Sequence, residues 1–260
     1  MSFIKKTLFK LLGLNGYLSI LQKSYITAYK AGMLKNNKTY AWHYFVKKLV
    51  RPDDTVIDIG ANLGYFTFIF GQLLNNDGHL YCVEPVEPYR HQLKKVIAGK
   101  NNITLLPFAL GNENKESITL GMPSYFANLG YLKHGVVTVE TESRSVAGNF
   151  TFTSTLKKGS EVFKPLEKID YIKCDIEGYE TVVLQEMKPL LQQHEPLVQL
   201  ETWGEQLPVM LNYFKGIGFE AYNLENGKLI NCKSLKLEEI NTSDVLFVPP
   251  SKIKRIEPYI

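Results

Sequence analysis

The sequence predicts an α/β protein with a doubly wound, mostly parallel seven-stranded sheet, an antiparallel last strand and an N-terminal helical extension. Three observations carry this. The run Val56 to Gly64, VIDIGANLG, reads as an apolar strand that reaches an acid and turns tightly into an apolar helix, Tyr65 to Leu74. Other short apolar segments stop at Glu84, Asp175 and Glu201, so several strands bring carboxylates to one sheet edge. Near the C-terminus two strands follow in succession, Phe219 to Leu224 and Asp244 to Pro249, as an antiparallel pair added to a parallel sheet would.

Length and composition agree. At 260 residues and 45% hydrophobic, the chain can bury the core of one α/β domain with an extension. The expected division is a basic helical extension over 1–50, the core domain over 51–250 with a lid or insertion at 115–155, and a tail over 251–260. No apolar run approaches the roughly 20 residues that span a bilayer, and the N-terminal lysines precede no long apolar core with a cleavage site. Cys82, Cys174 and Cys232 are odd in number and without paired spacing, which suggests buried thiols in a reducing compartment. A cytoplasmic location is therefore expected.

The first 52 residues hold ten Lys or Arg and no Asp or Glu. With a formal net charge of +4, the remaining 20 basic and 26 acidic residues leave the body at −6. A basic stretch carrying Phe3, Ile4, Leu8, Phe9, Leu11, Leu12 and Leu14 is compatible with an anionic membrane face, but helices ahead of an α/β core commonly pack against it. Nucleic acid is not an expected partner, because the basic residues are spread out and no recognition module is present. Tyr40 to Val50 reads as an aromatic-rich helix stopped by Pro52, with His43 a packed residue on it.

In the glycine loop, Gly60 and Gly64 allow positive φ and close approach of a ligand, and the helix start beyond offers free N–H groups. Glu84, followed by Pro85, ends the second strand 24 residues after Gly60, where a carboxylate can accept both hydroxyls of a ribose. An alternative has Glu84 capping the next helix. The third strand, Ile103 to Pro107, leads into Ala109, Leu110 and Gly111, beside the place where a nucleoside base would lie. Alternating segments between Lys115 and Thr155 suggest inserted strands, with exposed aromatics at Tyr125, Phe126 and Tyr131 and a solvated His134. A helix-like stretch around Lys164 to Lys168 precedes the fourth strand, YIKCDIEGYE, whose apolar part stops at Asp175 with Glu177, Gly178 and Glu180 behind it. Glu180 also suits the start of the next helix. A fifth strand, Leu197 to Leu200, ends in Glu201, Thr202 and Trp203; a helix from Gln206 to Gly216 and a turn at Asn226 and Gly227 follow.

These motifs resemble the FkbM family of S-adenosylmethionine-dependent methyltransferases. The family's D-x-G-A-N-x-G loop stands here at Asp58 to Gly64, its acid-proline pair at Glu84 and Pro85, its A-L-G turn at Ala109 to Gly111, and its lysine with D-x-E-G-x-E at Lys173 and Asp175 to Glu180. The match covers most of residues 51 to 205, and the antiparallel final strand is a habit of class I methyltransferases. The resemblance implies that Asp58 lies near the amino end of S-adenosylmethionine, that Gly60, Asn62 and Gly64 cradle its methionine part, that Glu84 holds the ribose, and that Ala109 edges the adenine. Asp175 and Glu177 are then the catalytic candidates, as base or acceptor-orienting groups. The implied acceptor is a hydroxyl on a sugar, a glycan precursor or a small natural product. A sharper variant has Asp175, Glu177 and Glu201 holding a magnesium ion that acidifies that hydroxyl.

Two other functions fit parts of the pattern. An NAD(P)-dependent oxidoreductase also needs a glycine loop and a strand-tip acid, but Asp58 stands where the G-x-G-x-x-G fingerprint wants its first glycine. A non-catalytic nucleotide-binding module would keep the loop without needing acids on the acceptor side.

Overall fold

The fold was established from a computed structural model, which describes residues 2–124, 131–141, 145–240 and 244–260. Strand β1 (Thr55–Ile59) is the centre of the sheet and is buried along its whole length. It pairs in parallel with β2 (His79–Val83) on one side and with β8 (Tyr171–Cys174) on the other. Such strands are covered on both faces, which is why they are continuous apolar runs. Outward from β2 lies β3 (Ile103–Leu106); outward from β8 lie β9 (Leu197–Glu201), β12 (Asp244–Val248), β10 (Glu220–Glu225) and β11 (Lys228–Asn231). β12 runs antiparallel to both β9 and β10.

The predicted seven strands are present, and an eighth joins them. β11 folds back on β10 across Asn226 and Gly227, which have φ of 49° and 78°. Two successive left-handed residues make the hairpin turn whose twist matches the strands it joins.

Helices cover both faces. On one lie α2 (Ala41–Phe45) and α3 (Tyr65–Leu73), whose aromatic residues share a core with Val56, Leu80 and Tyr171. On the other, α6 (Glu180–Glu186), α7 (Lys188–His194) and α8 (Gln206–Gly216) bury Val183, Leu191 and Phe214 against Ile57, Ile172 and Val198. The expected helix at Tyr40 to Val50 is shorter: only Ala41–Phe45 is α-helical, between 3-10 turns. Trp42 on it is buried, 3% exposed. The helix expected around Lys164 to Lys168 is absent. A single helical turn, α5 (Gly159–Val162), comes before it, and a residue ahead of a proline, as Lys164 is, is disfavoured in the helical region.

A second sheet, in the order β4-β7-β5-β6, holds the segment between the third and fourth core strands. Its strands are β4 (Ala109–Gly111), β5 (Lys115–Pro123), β6 (Thr138–Val139) and β7 (Val146–Lys158). The A-L-G segment, read as a turn, is thus a short strand paired in parallel with β7. Tyr131, read as exposed, is buried edge-on to Tyr17 with ring centroids 6.2 Å apart. Tyr125 and Phe126 lie outside the described residues, as does the side chain of His134.

The N-terminal extension forms α1 (Ser2–Lys30), kinked at Gly13, where φ is 64°. Tyr17 and Leu18 on it are buried beside Leu63, Val86 and Tyr89. Gln22 is 3% exposed, and its amide donates to the carbonyls of Leu63 at 2.7 Å and Gln92 at 2.9 Å, the latter on α4 (Glu87–Ile97). The extension is thereby pinned to the glycine loop. Among the described residues no helix is long and apolar enough to cross a membrane. The last ten residues, expected as a tail, include α9 (Ile253–Ile256) and close over the sheet: Ile256 is fully buried, and Arg255 pairs with Asp54 and donates to the Leu49 carbonyl.

Candidate functional site

Register decides where the acids fall. β1 and β8 pair Ile59 with Cys174, β8 and β9 pair Cys174 with Leu200, and β1 and β2 pair Ile59 with Val83. The residues just beyond are Gly60, Asp175, Glu201 and Glu84, so all four stand at the carboxyl edge of the sheet.

The glycine loop is fixed by its backbone. The N–H groups of Gly60 and Ala61 both donate to the carbonyl of Val83, at 3.0 and 3.1 Å. Gly60 has φ of 82°, and a Cβ there would come within 1.9 Å of the Asp175 carbonyl, so loop and β8 turn touch backbone to backbone. Asn62 follows in the left-handed region at φ 51°. Gly64 begins α3, and a Cβ on it would meet Leu93 of α4 at 2.7 Å. Gly64 lines none of the three cavities at this edge; its place is the packing of α3 on α4.

Glu84 is 3% exposed, and its two carboxylate oxygens accept from the backbone N–H of Asn62 at 2.7 Å and of Val86 at 2.8 Å. Burial pushes its pKa up to about 7, against those two donors. Each oxygen has lone-pair capacity left for a ligand hydroxyl. Glu84 lines a first cavity with Gly60, Asn62, Tyr89, Ala109 and Glu177. Asp58 accepts from the Thr67 hydroxyl at 2.7 Å, and burial lifts it to about 6.

A second cavity of about 310 Å³ adjoins the first and holds Asp58, Phe66, Lys173, Asp175, Glu201 and His43. The Lys173 ammonium, 1% exposed, lies 3.4 Å from Asp175, 3.5 Å from Asp244 and 5.2 Å from the centre of the Phe66 ring. Burial alone would lower its pKa, yet Asp175 and Asp244 keep it above the ordinary lysine value. Burial would raise Asp175, but Lys173 and a hydrogen bond from Glu201 hold it below the usual carboxylate range. Glu201 is pushed up to about 11 by burial and by that bond, so it carries the proton shared by the pair. Glu177, strained at φ 59°, is raised to about 8 by burial, with Asp175 and Glu180 adding to the shift.

Carboxylate oxygens of Asp175, Glu177 and Glu201 lie within 4.8 Å of one another, so these three could supply ligands to a divalent ion. Lys173 and the shared proton already offset much of their charge. Glu180 is occupied otherwise: one oxygen accepts from the N–H groups of Ile176 and Gly178, each at 3.0 Å, which ties the turn to the start of α6.

The structure therefore gathers Asp58, Gly60, Asn62, Glu84, Ala109, Asp175 and Glu177 around two joined cavities, and leaves Gly64 behind them. His43, expected as a packed residue, is packed, and it also borders the second cavity. It faces the second cavity, stacked on Phe66 with centroids 4.3 Å apart, and its Nδ1 is bonded to the Tyr25 hydroxyl. Burial lowers its pKa to about 4, which leaves the ring neutral at pH 7. Only the aromatic company of Trp42, Tyr44 and Phe45 was visible in the chain, and that favours a packed reading.

Comparison with known proteins follows the same lines. A family model described as methyltransferase FkbM domain matches residues 58–221. Over 72 residues the chain is 36% identical to a protein-L-isoaspartate O-methyltransferase of Methanosarcina mazei, covering 27% of this chain and 26% of that protein. A solved methyltransferase FkbM from Methylobacillus flagellatus KT is similar at a TM-score of 0.51 and 14% identity, over 80% of this chain and 47% of that one. An rRNA methylase from Streptococcus thermophilus matches at a TM-score of 0.43 and 12% identity, over 80% of this chain and 92% of that one. The chain thus spans about a quarter of the curated relative and about half of the solved FkbM protein.

Proposed function

Because the chain belongs to the FkbM methyltransferase family, we propose that it moves a methyl group from S-adenosylmethionine to a hydroxyl of a sugar, glycan precursor or small natural product. The observation that carries this reading is the place of Glu177, which lines the first cavity, the second, and a third on its outer side.

The cofactor supplies an electrophilic methyl carbon on a sulfonium. Glu84 would accept the ribose hydroxyls, Ala109 would border the base, and the Gly60 to Asn62 backbone with Asp58 would hold the methionine end. Glu177 would take the proton of the acceptor hydroxyl, and Asp175 would orient that hydroxyl oxygen. What the protein contributes is alignment and the exclusion of water. The acceptor is a small molecule or glycan rather than a nucleic acid.

Titration calorimetry with S-adenosylmethionine and, separately, NADH tests the donor: micromolar binding of the first alone is expected, and binding of NADH alone would refute the reading. Transfer should need Glu177 ionised. In the free enzyme kcat/KM is therefore expected to climb with pH and level off above about 8, the value to which burial and Asp175 raise that carboxyl. Glu177→Gln should lose that rising limb and about 100-fold or more in kcat.

Lys173 and the proton on Glu201 offset the charge of the acid cluster without a cation. Activity is accordingly expected to survive exhaustive chelation of divalent metal. Loss on chelation with recovery on adding magnesium would instead assign Asp175, Glu177 and Glu201 as ligands.

A further inference from the structure

The third cavity, of about 330 Å³, lies outside Glu177, between the β5 end of the second sheet and the loops that follow β8 and β9. Its lining includes Val136, Glu177, Trp203, Gly204, Glu205 and Gln206. Trp203 stands out on burial grounds. It comes two residues after β9, a strand whose first four residues are fully buried, yet it is 53% exposed. A large aromatic left open to water beside a reaction site is available for contact with a ligand.

The rim is held in place. The Gln206 side-chain amide donates to the Gly178 carbonyl at 3.2 Å, joining the loop after β9 to the loop after β8. Gly204, at φ 56°, makes the turn between Trp203 and α8.

Charge then selects the occupant. The lining carries the carboxyl groups of Glu177, Glu180 and Glu205, and among the described residues no Lys, Arg or His. A phosphate or carboxylate there would find no cation in the lining and would face the Glu205 carboxylate, with Glu177 adding its own charge as pH rises through about 8. A ring rich in hydroxyls donates to carboxylate oxygens, and an amine on it gains from both the acids and the indole face.

Resting on the methyl-transfer reading above, we propose that this cavity is the acceptor subsite. It receives an uncharged or amine-bearing hydroxylated ring stacked on Trp203, and it turns away phosphorylated and carboxylated rings. Trp203 acts here as a positioning and selecting residue, with Glu177 between the ring and the methyl donor.

The test is transfer of labelled methyl from S-adenosylmethionine to a panel: methyl glucoside, methyl glucosaminide, glucose 6-phosphate and glucuronate. Label should pass to the first two and not to the last two. Trp203→Ala should raise KM for an accepted ring about 10-fold or more and leave kcat within about 3-fold, while Trp203→Phe stays near wild type. Glu205→Lys should bring the phosphorylated ring into use. Calorimetry on the same variants should give an unchanged dissociation constant for S-adenosylmethionine, which separates loss of the subsite from loss of the fold. Cofactor binding with no turnover on any neutral or amine-bearing member, preference for the phosphate, or an unmoved KM in Trp203→Ala would each overturn the proposal. Failure to bind S-adenosylmethionine at all would overturn the reading beneath it instead.

Discussion

Replacing Glu84 with alanine is expected to raise the dissociation constant for S-adenosylmethionine by about 100-fold or more. Two hydrogen bonds from ribose hydroxyls to a buried carboxylate are worth together about 3 kcal/mol, and roughly 1.4 kcal/mol is a factor of ten. The same carboxylate holds the N–H groups of Asn62 and Val86, so alanine also leaves two donors without their acceptor. Melting without cofactor measures that second cost, and calorimetry on the folded fraction measures the first. Because burial sets Glu84 near 7, wild-type affinity should weaken as pH is lowered through that value, and the variant should not show this dependence. A Glu84→Ala protein that binds as well as wild type would remove Glu84 from the cofactor site.

Lys173→Met is the substitution expected to cost most in stability, about 3 kcal/mol near pH 7. Its volume is nearly kept, but Asp244 is left buried without its cation and Asp175 loses the charge that opposes its own desolvation. Asp175 is 36% exposed at its side chain, which keeps the figure at the lower end for broken buried pairs. The sign with pH follows. Lys173 is raised above its ordinary 10.5, so its contribution is fully present below that value. Asp175 is depressed below its ordinary 3.8, so the pair's contribution is present above that value and fades as pH falls further. The deficit of the variant should thus be largest between about pH 5 and 9 and shrink in acid. Denaturant unfolding at several pH values checks this, and a deficit that does not change with pH would mean that packing, not charge, is what Lys173 provides.

Much of this arrangement was legible in the chain. The glycine loop, Glu84 and the D-x-E-G-x-E segment announce themselves because parallel strands are uninterrupted apolar runs and the residue that ends each one is its tip. Lys173 could be read as part of a motif, but not as the cation that two acids share, since Asp244 reaches it only through the antiparallel insertion of β12 beside β9. That His43, packed as expected, also borders the second cavity was hidden for a related reason. It lies 132 residues before Asp175 in the sequence, and only the packing of α2 and α3 on the same sheet face brings it to the cavity. Glu201 and Trp203 were visible at a strand end, yet one carries a shared proton and the other stands in water, and neither state is written in local composition. The eighth strand was missed because Lys228–Asn231 has only Leu229 and Ile230 as an apolar signal.

The two tryptophans sit in opposite surroundings, Trp42 sealed in the aromatic core at 3% exposure and Trp203 at the rim of the third cavity. The molecule therefore contains its own pair of optical reporters. Emission from the dry indole follows the integrity of the sheet, while emission from the wet one, at longer wavelength and open to soluble quenchers, follows what happens at the mouth of the site. A single spectrum of the unlabelled protein can distinguish an event at the rim from a loosening of the core.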